Sequence, residues 1–162
     1  NGFFLVAEKM EKAPVPYAQI ANLLYGPSYL SFEWALSYYG MIPEGVYVTT
    51  SAVLTTKSKS FSTPIGTFDY FSLSHKRYTV GIVQKANEGG NFLVATPEKA
   101  LVDLIHLKSK KLTSNELLDD LLESRRIERE QLKELDRQHL EDIQECYRSQ
   151  TVDHLIKALK QL

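Results

Sequence analysis

The apolar residues of this chain change their period twice along its length, and that change constrains the fold more than any other feature. Between Gly45 and Val94 they alternate within short runs, whereas before and after they recur at helical spacing. The run "VYVTTSAVLTT" sets Val46, Val48, Thr50, Ala52 and Leu54 against Tyr47, Thr49, Ser51 and Val53, which is the two-residue period of a strand. "KSFSTPIGTFDYFSL" reads as a hairpin, with Pro64 at the first central turn position and Gly66 as the left-handed residue of a bulged turn. "RYTVGIVQ" and "NFLVA", joined by "KANEGG", supply two more strands. All these connections are short, so the sheet is expected to be mostly antiparallel.

Two short helices are expected ahead of the sheet. "YAQIANLLY" gathers Ile20, Leu23 and Leu24 on one face, and Gly26-Pro27 ends it. In "YLSFEWALSYYG", Ser31 stands at the N-cap, Ala35, Leu36 and Tyr39 form the buried stripe, and Gly40 falls where a left-handed C-cap belongs. After the sheet, "ATPEKALVDLIHL" starts a helix capped by Thr96. Pro97 is free of cost at the first helical position, Glu98 complements the positive end of the dipole, and Lys99 can pair with Asp103 one turn on. Ala100, Leu101, Leu104 and Ile105 make its apolar face. "TSNELLDDLLES" offers Thr113 and Glu116 as a capping box, and two or three further helices follow.

The expected architecture is α+β: a small, mostly antiparallel sheet with two preceding helices and a C-terminal helical bundle. Residues 13–112 would form the α+β core and residues 113–162 a helical subdomain. Residues 1–12 contain "GFFLVA", an apolar strand without sequence neighbours, and with no initiator Met the chain reads as part of a longer protein.

Charge divides along the same line. Residues 1–112 carry 11 Lys/Arg against 8 Asp/Glu, and residues 113–162 carry 8 against 12, so a mildly basic part precedes an acidic one. The net charge of −1 gives no global attraction to nucleic acid or membrane. No apolar run approaches the roughly 18 residues a spanning helix needs. Cys146 is the sole cysteine, which excludes an internal disulfide or a multi-cysteine metal site and fits a reducing cytoplasm.

Residues able to do chemistry are scattered. His75, His106, His139 and His154 form no metal-ligand spacing, so no metal site is expected. Cys146 lies among Glu141, Asp142 and Glu145, which disfavour a thiolate. Glu98 would repel a phosphate at the helix start beside it. No nucleophile, base or cofactor motif emerges, and the expectation is a protein that is not an enzyme. The exceptions are Lys57 and Lys59 in "TTKSKSF" and Lys76 and Arg77 in "SHKRY". If these segments adjoin, they make a cationic, hydroxyl-bearing edge suited to DNA phosphates. The crowd of Tyr25, Tyr29, Phe32, Trp34, Tyr38, Tyr39 and Tyr47 is expected to be core.

"YLSFEWALSYYGMIPE", then "VTTSAVLTTKSKSFSTPIGTFDYFSL", then "ATPEKALVDLIHL" occur in an order that resembles the AbiEi-type antitoxins. These are bacterial transcriptional regulators of abortive-infection toxin–antitoxin systems. The resemblance runs from Tyr17 to Leu107. Its family-marking positions here are Ser31, Ala35, Leu36, Gly40, Gly66, Pro97, Glu98 and Lys99. It implies an N-terminal winged helix that binds promoter DNA, of which residues 1–12 would be the wing strand. It also implies a C-terminal domain that neutralises a nucleotidyltransferase toxin, with or without a stable complex. An alternative from the residues alone is a protein-interaction module whose acidic C-terminal helices bind a basic partner.

Overall fold

A computed structural model describes residues 14–109 and 111–162; the expected wing strand in residues 1–12 lies outside them. The elements run α1 (Tyr17–Leu24), β1 (Ser28–Leu30), α2 (Phe32–Tyr38), β2 (Val48–Val53), β3 (Lys59–Thr63), β4 (Gly66–Ser72), α3 (His75–Tyr78), β5 (Ile82–Asn87), β6 (Gly90–Ala95) and α4 (Pro97–Lys108). There follow α5 (Ser114–Asp119), a π-helical turn (Asp120–Ser124), α6 (Arg129–Glu134), α7 (Arg137–Tyr147) and α8 (Gln150–Leu159). The class is α+β, as the change of period implies.

The sheet order is β3-β4-β2-β1-β6-β5. Three of its five pairings are antiparallel, but β2 with β4 and β1 with β6 are parallel. The hairpin β3–β4 folds back so that β4, not β3, inserts beside β2. Skipping one place turns an expected antiparallel neighbour into a parallel one. The hairpin itself closes with Thr63 opposite Gly66, so the turn holds two residues and Gly66 is paired, not bulged. Its φ of +144° is nonetheless a conformation that glycine alone adopts easily.

Helix α2 does not precede the sheet. It is preceded by β1, which sits near the sheet's centre and is wholly buried. Three residues are too few to show a period. Because successive residues of a strand face opposite sides, β1 serves two layers. Ser28 Oγ donates to Ala21 O of α1 at 3.4 Å, while the next residue, Tyr29, donates to Asp103 of α4 at 3.1 Å. One face of the sheet therefore carries α1, and the other carries α4, which packs in turn on α2, α7 and α8.

Several local expectations hold with altered chemistry. Gly40 takes φ +70° after α2, and Met41 N–H donates back to Leu36 O at 2.8 Å, closing the helix with a left-handed cap. Thr113 and Glu116 form the capping box of α5. From Glu98 through Ile105 helix α4 is buried on all sides, not only on the expected apolar face. Glu98 Oε1 accepts from Asp136 N–H at 2.9 Å, so it ties the start of α4 to the start of α7. Of the crowded aromatics, Tyr29 and Phe32 are core, but Tyr38 is nearly half exposed and Tyr47 is 96% exposed.

Candidate functional site

The chemistry-bearing groups converge where α4 crosses beneath β1. Lys99 and Asp103 lie one turn apart on α4 and pair at 2.7 Å with neither side chain exposed. Isolated charges there would be very costly, so their partners decide whether the arrangement is tolerable. The ammonium of Lys99 has three protons, and three acceptors receive them: Asp103 Oδ1, Arg77 O at 2.6 Å and the hydroxyl oxygen of Tyr147. Asp103 has room for four donors and finds four. Lys99 and the Tyr147 hydroxyl donate to Oδ1, while Ser31 Oγ at 2.6 Å and Tyr29 OH at 3.1 Å donate to Oδ2. The network is neutral overall and complete.

Its electrostatics follow from that seclusion. Burial pushes the Lys99 ammonium below its ordinary pKa, with Asp103 opposing the shift. Burial, with the Asp103 charge adding to it, lifts both Tyr29 and Tyr147 well above the usual phenol value. The ring of Tyr147 also lies 4.4 Å from the ammonium, a cation–π contact. The arrangement neutralises a charge pair and ties α4, β1, α3 and α7 together. It offers no substrate a route to its atoms.

Space for the lysine stem depends on Gly81. That residue has φ +71°, and a Cβ on it would lie 2.7 Å from Lys99 Cβ. Two other details follow from the network. Ser31 occupies the N-cap position of α2 but makes no cap bond, because its hydroxyl donates to Asp103. Thr50 Oγ1 replaces it, accepting from Trp34 N–H at 3.2 Å and donating to Ser31 O at 2.8 Å.

The four basic residues expected to share an edge are carried by two segments, which meet where Ser72 N–H donates to Ser58 Oγ at 2.9 Å. Lys59 is on edge strand β3, exposed, with its ammonium 4.8 Å from the Tyr25 ring; Lys57 is exposed just before it. Lys76 and Arg77 belong to α3, which packs on α7. Arg77 is half-buried, and its Nε and Nη2 donate to Tyr147 O at 3.2 and 3.0 Å, placing its charge on the C-terminal end of α7. Lys57, Lys59 and Lys76 face solvent.

Of the family-marking positions, Ala35 and Leu36 are core, Gly40 and Gly66 hold turns, and Pro97 opens α4. Ser31 and Lys99 belong to the buried network. Sequence reasoning missed Tyr29, Tyr147 and Gly81. The i, i+4 spacing of Lys99 and Asp103 was a true signal, but nothing in it distinguishes a surface pair from a buried one. Among the described residues no cluster of His, Cys, Asp and Glu could hold a metal ion, and no helix is long and apolar enough to cross a membrane. The chain matches no protein-family model and no curated protein sequence.

Proposed function

We propose that this chain is the antitoxin module of an AbiEi-type toxin–antitoxin pair: a cytoplasmic, non-catalytic protein that neutralises a nucleotidyltransferase toxin. Promoter binding would be assigned mainly to a winged-helix domain, with Lys57, Lys59 and Lys76 adding phosphate contacts. The observation that supports this reading is the meeting of the two blocks on which the resemblance rests. Ser31 from the first and Lys99 and Asp103 from the second join in one buried network, although Ser31 and Asp103 are 72 positions apart. The Pro-Glu-Lys segment on this reading marks a fold and not a reactive centre.

The test is growth rescue. The chain is expressed together with an AbiEii-type nucleotidyltransferase toxin, and growth is expected to return. Unrelieved toxicity at matched, soluble expression overturns the assignment. A second reading, an interaction module for a basic partner, is favoured by Glu141, Asp142 and Glu145, all exposed on α7. It predicts partner capture that weakens steeply with salt and needs no toxin.

A further inference from the structure

His106 stands where α3, α4, α7 and the start of α8 meet, beside the buried network. It is half-buried, and both of its ring nitrogens have partners. Nε2 lies 3.2 Å from Arg77 Nη1, and Nδ1 lies 3.2 Å from Ser149 Oγ. Together these contacts fix the protonation of the ring. A guanidinium has donors only, so Nε2 must carry the lone pair that accepts from Arg77. The single ring proton is then on Nδ1, which donates to Ser149. The imidazole is neutral and held in one tautomer.

Arg77 is not free to withdraw from this contact. Its Nε and Nη2 donate to Tyr147 O, and its own carbonyl accepts from Lys99. Its guanidinium lies 5.7 Å from the centre of the Tyr147 ring, and the His106 ring stands edge-on to that same ring with centroids 5.2 Å apart. A proton on Nε2 would remove the acceptor and set an imidazolium against a guanidinium at hydrogen-bond distance. Half-burial screens such a like-charge contact poorly.

Carboxylates that would relieve the contact are engaged elsewhere. On α4 itself, Asp103 has its four donors, with Lys99 among them, and Lys108 pairs with Glu33 of α2. On α8, Asp153 accepts from Gln144 at 2.7 Å, and His154 Nδ1 donates to Leu112 O at 3.0 Å. Helix α7 brings Tyr147, kept protonated by burial, and the half-buried thiol of Cys146; Arg148, exposed, follows it. On α3, His75 and Lys76 are exposed, and β6 has no titratable side chain.

We infer that His106 couples the fold to pH: the folded chain holds its ring neutral, and a proton enters at Nε2 only by breaking the bond with Arg77. The unfolded chain takes up that proton freely. Stability is therefore complete above the ordinary histidine value near 6.5 and declines as the solution is acidified below it. Arg77 and Tyr147 belong to the contacts that tie the sheet to the C-terminal helices, so the loss falls on the whole fold. The inference is independent of the antitoxin reading.

The experiment compares urea unfolding of the wild-type chain and of His106→Gln, whose carboxamide oxygen can accept from Arg77 and does not titrate. Between about pH 7.5 and about pH 5.5, one proton taken up by the unfolded chain alone raises the unfolding constant about tenfold. The wild type should lose about tenfold more over that range than His106→Gln, while His75→Gln, at an exposed histidine, should keep the wild-type loss. Ring-nitrogen spectra of the labelled wild type at the higher pH should show the Nδ1–H tautomer at His106. The inference is overturned if His106→Gln loses as much as the wild type, if His75→Gln removes the loss equally, or if the ring is cationic or protonated on Nε2 at the higher pH. Should His106→Gln fail to fold, titration of the wild-type rings decides: a His106 that stays neutral below the pH at which His75 takes up its proton supports the inference, and one that titrates together with His75 overturns it.

Discussion

Replacing Lys99 by Met tests the central claim about the buried network. Met keeps much of the unbranched stem, so little packing is lost, and the change isolates the ammonium. Removing it leaves the Asp103 carboxylate, fully inaccessible, with three hydroxyl donors and no counter-charge, and leaves Arg77 O without its donor. Breaking a buried pair from one side typically costs about 3–5 kcal/mol, a large share of a domain's roughly 5–15 kcal/mol. With a urea slope of about 2 kcal/mol/M, the unfolding midpoint should fall by roughly 1.5–2.5 M. A further signature separates this mechanism from simple loss of packing. An orphaned carboxylate takes up a proton as the solution is acidified, so the deficit should shrink between neutral pH and the carboxylic range. A loss under about 1 kcal/mol, or one that ignores pH, would refute the reasoning, because surface pairs behave in that way.

Three further outcomes are expected. Tyr29 and Tyr147 are held above their ordinary pKa, as is Tyr39 at about 12, so their stabilising contribution is complete below the unfolded phenol value near 10 and is lost as pH rises from there through the higher folded values. Lys99, shifted down, works in the opposite direction, but one lysine is outweighed, and the urea midpoint should drop above pH about 10, with the tyrosinate absorbance of the buried tyrosines appearing only on unfolding; a flat midpoint would be contrary. Gly81→Ala combines a left-handed backbone, about 1–2 kcal/mol, with a clash against the Lys99 stem, about 1–3 kcal/mol, and should lower stability by roughly 2–5 kcal/mol in the same assay. On the proposed function, replacing Lys57, Lys59 and Lys76 by Gln in a chain that carries the winged-helix domain should flatten the salt slope of promoter binding by about 0.9 for each phosphate no longer neutralised, while Arg77→Gln should act on stability instead; equal effects of all four on DNA would contradict the reading of Arg77 as structural.

The residues that announced themselves in the sequence did so through local rules. The cap of α4 by Thr96, the Thr113–Glu116 box and the left-handed Gly40 depend only on neighbours within a turn, and the change of period is enough to separate sheet from helices. What could not be read depends on partners far along the chain. β1 is three residues long, and its place in the sheet is set by β2 and β6. Ser31 has the composition of an N-cap, yet a carboxylate 72 positions away makes the stronger claim on its hydroxyl. Arg77 looks like an exposed cation until α7 brings its last carbonyl alongside.

The completeness of the Lys99–Asp103 network has a consequence for how the molecule comes apart. Its members are contributed by the strand at residue 29, by α4 and by the last residue of α7, so no subset of these elements can bury the charges at tolerable cost. Intermediates with the sheet formed and the C-terminal helices detached are therefore penalised, and the two parts should melt in one cooperative transition. Amide protons of α7 should exchange with solvent at nearly the same rate as those of β1, despite the acidic, surface-like composition of that helix. A chain cut after residue 112 would not keep a folded sheet, whatever the apparent autonomy of its strands.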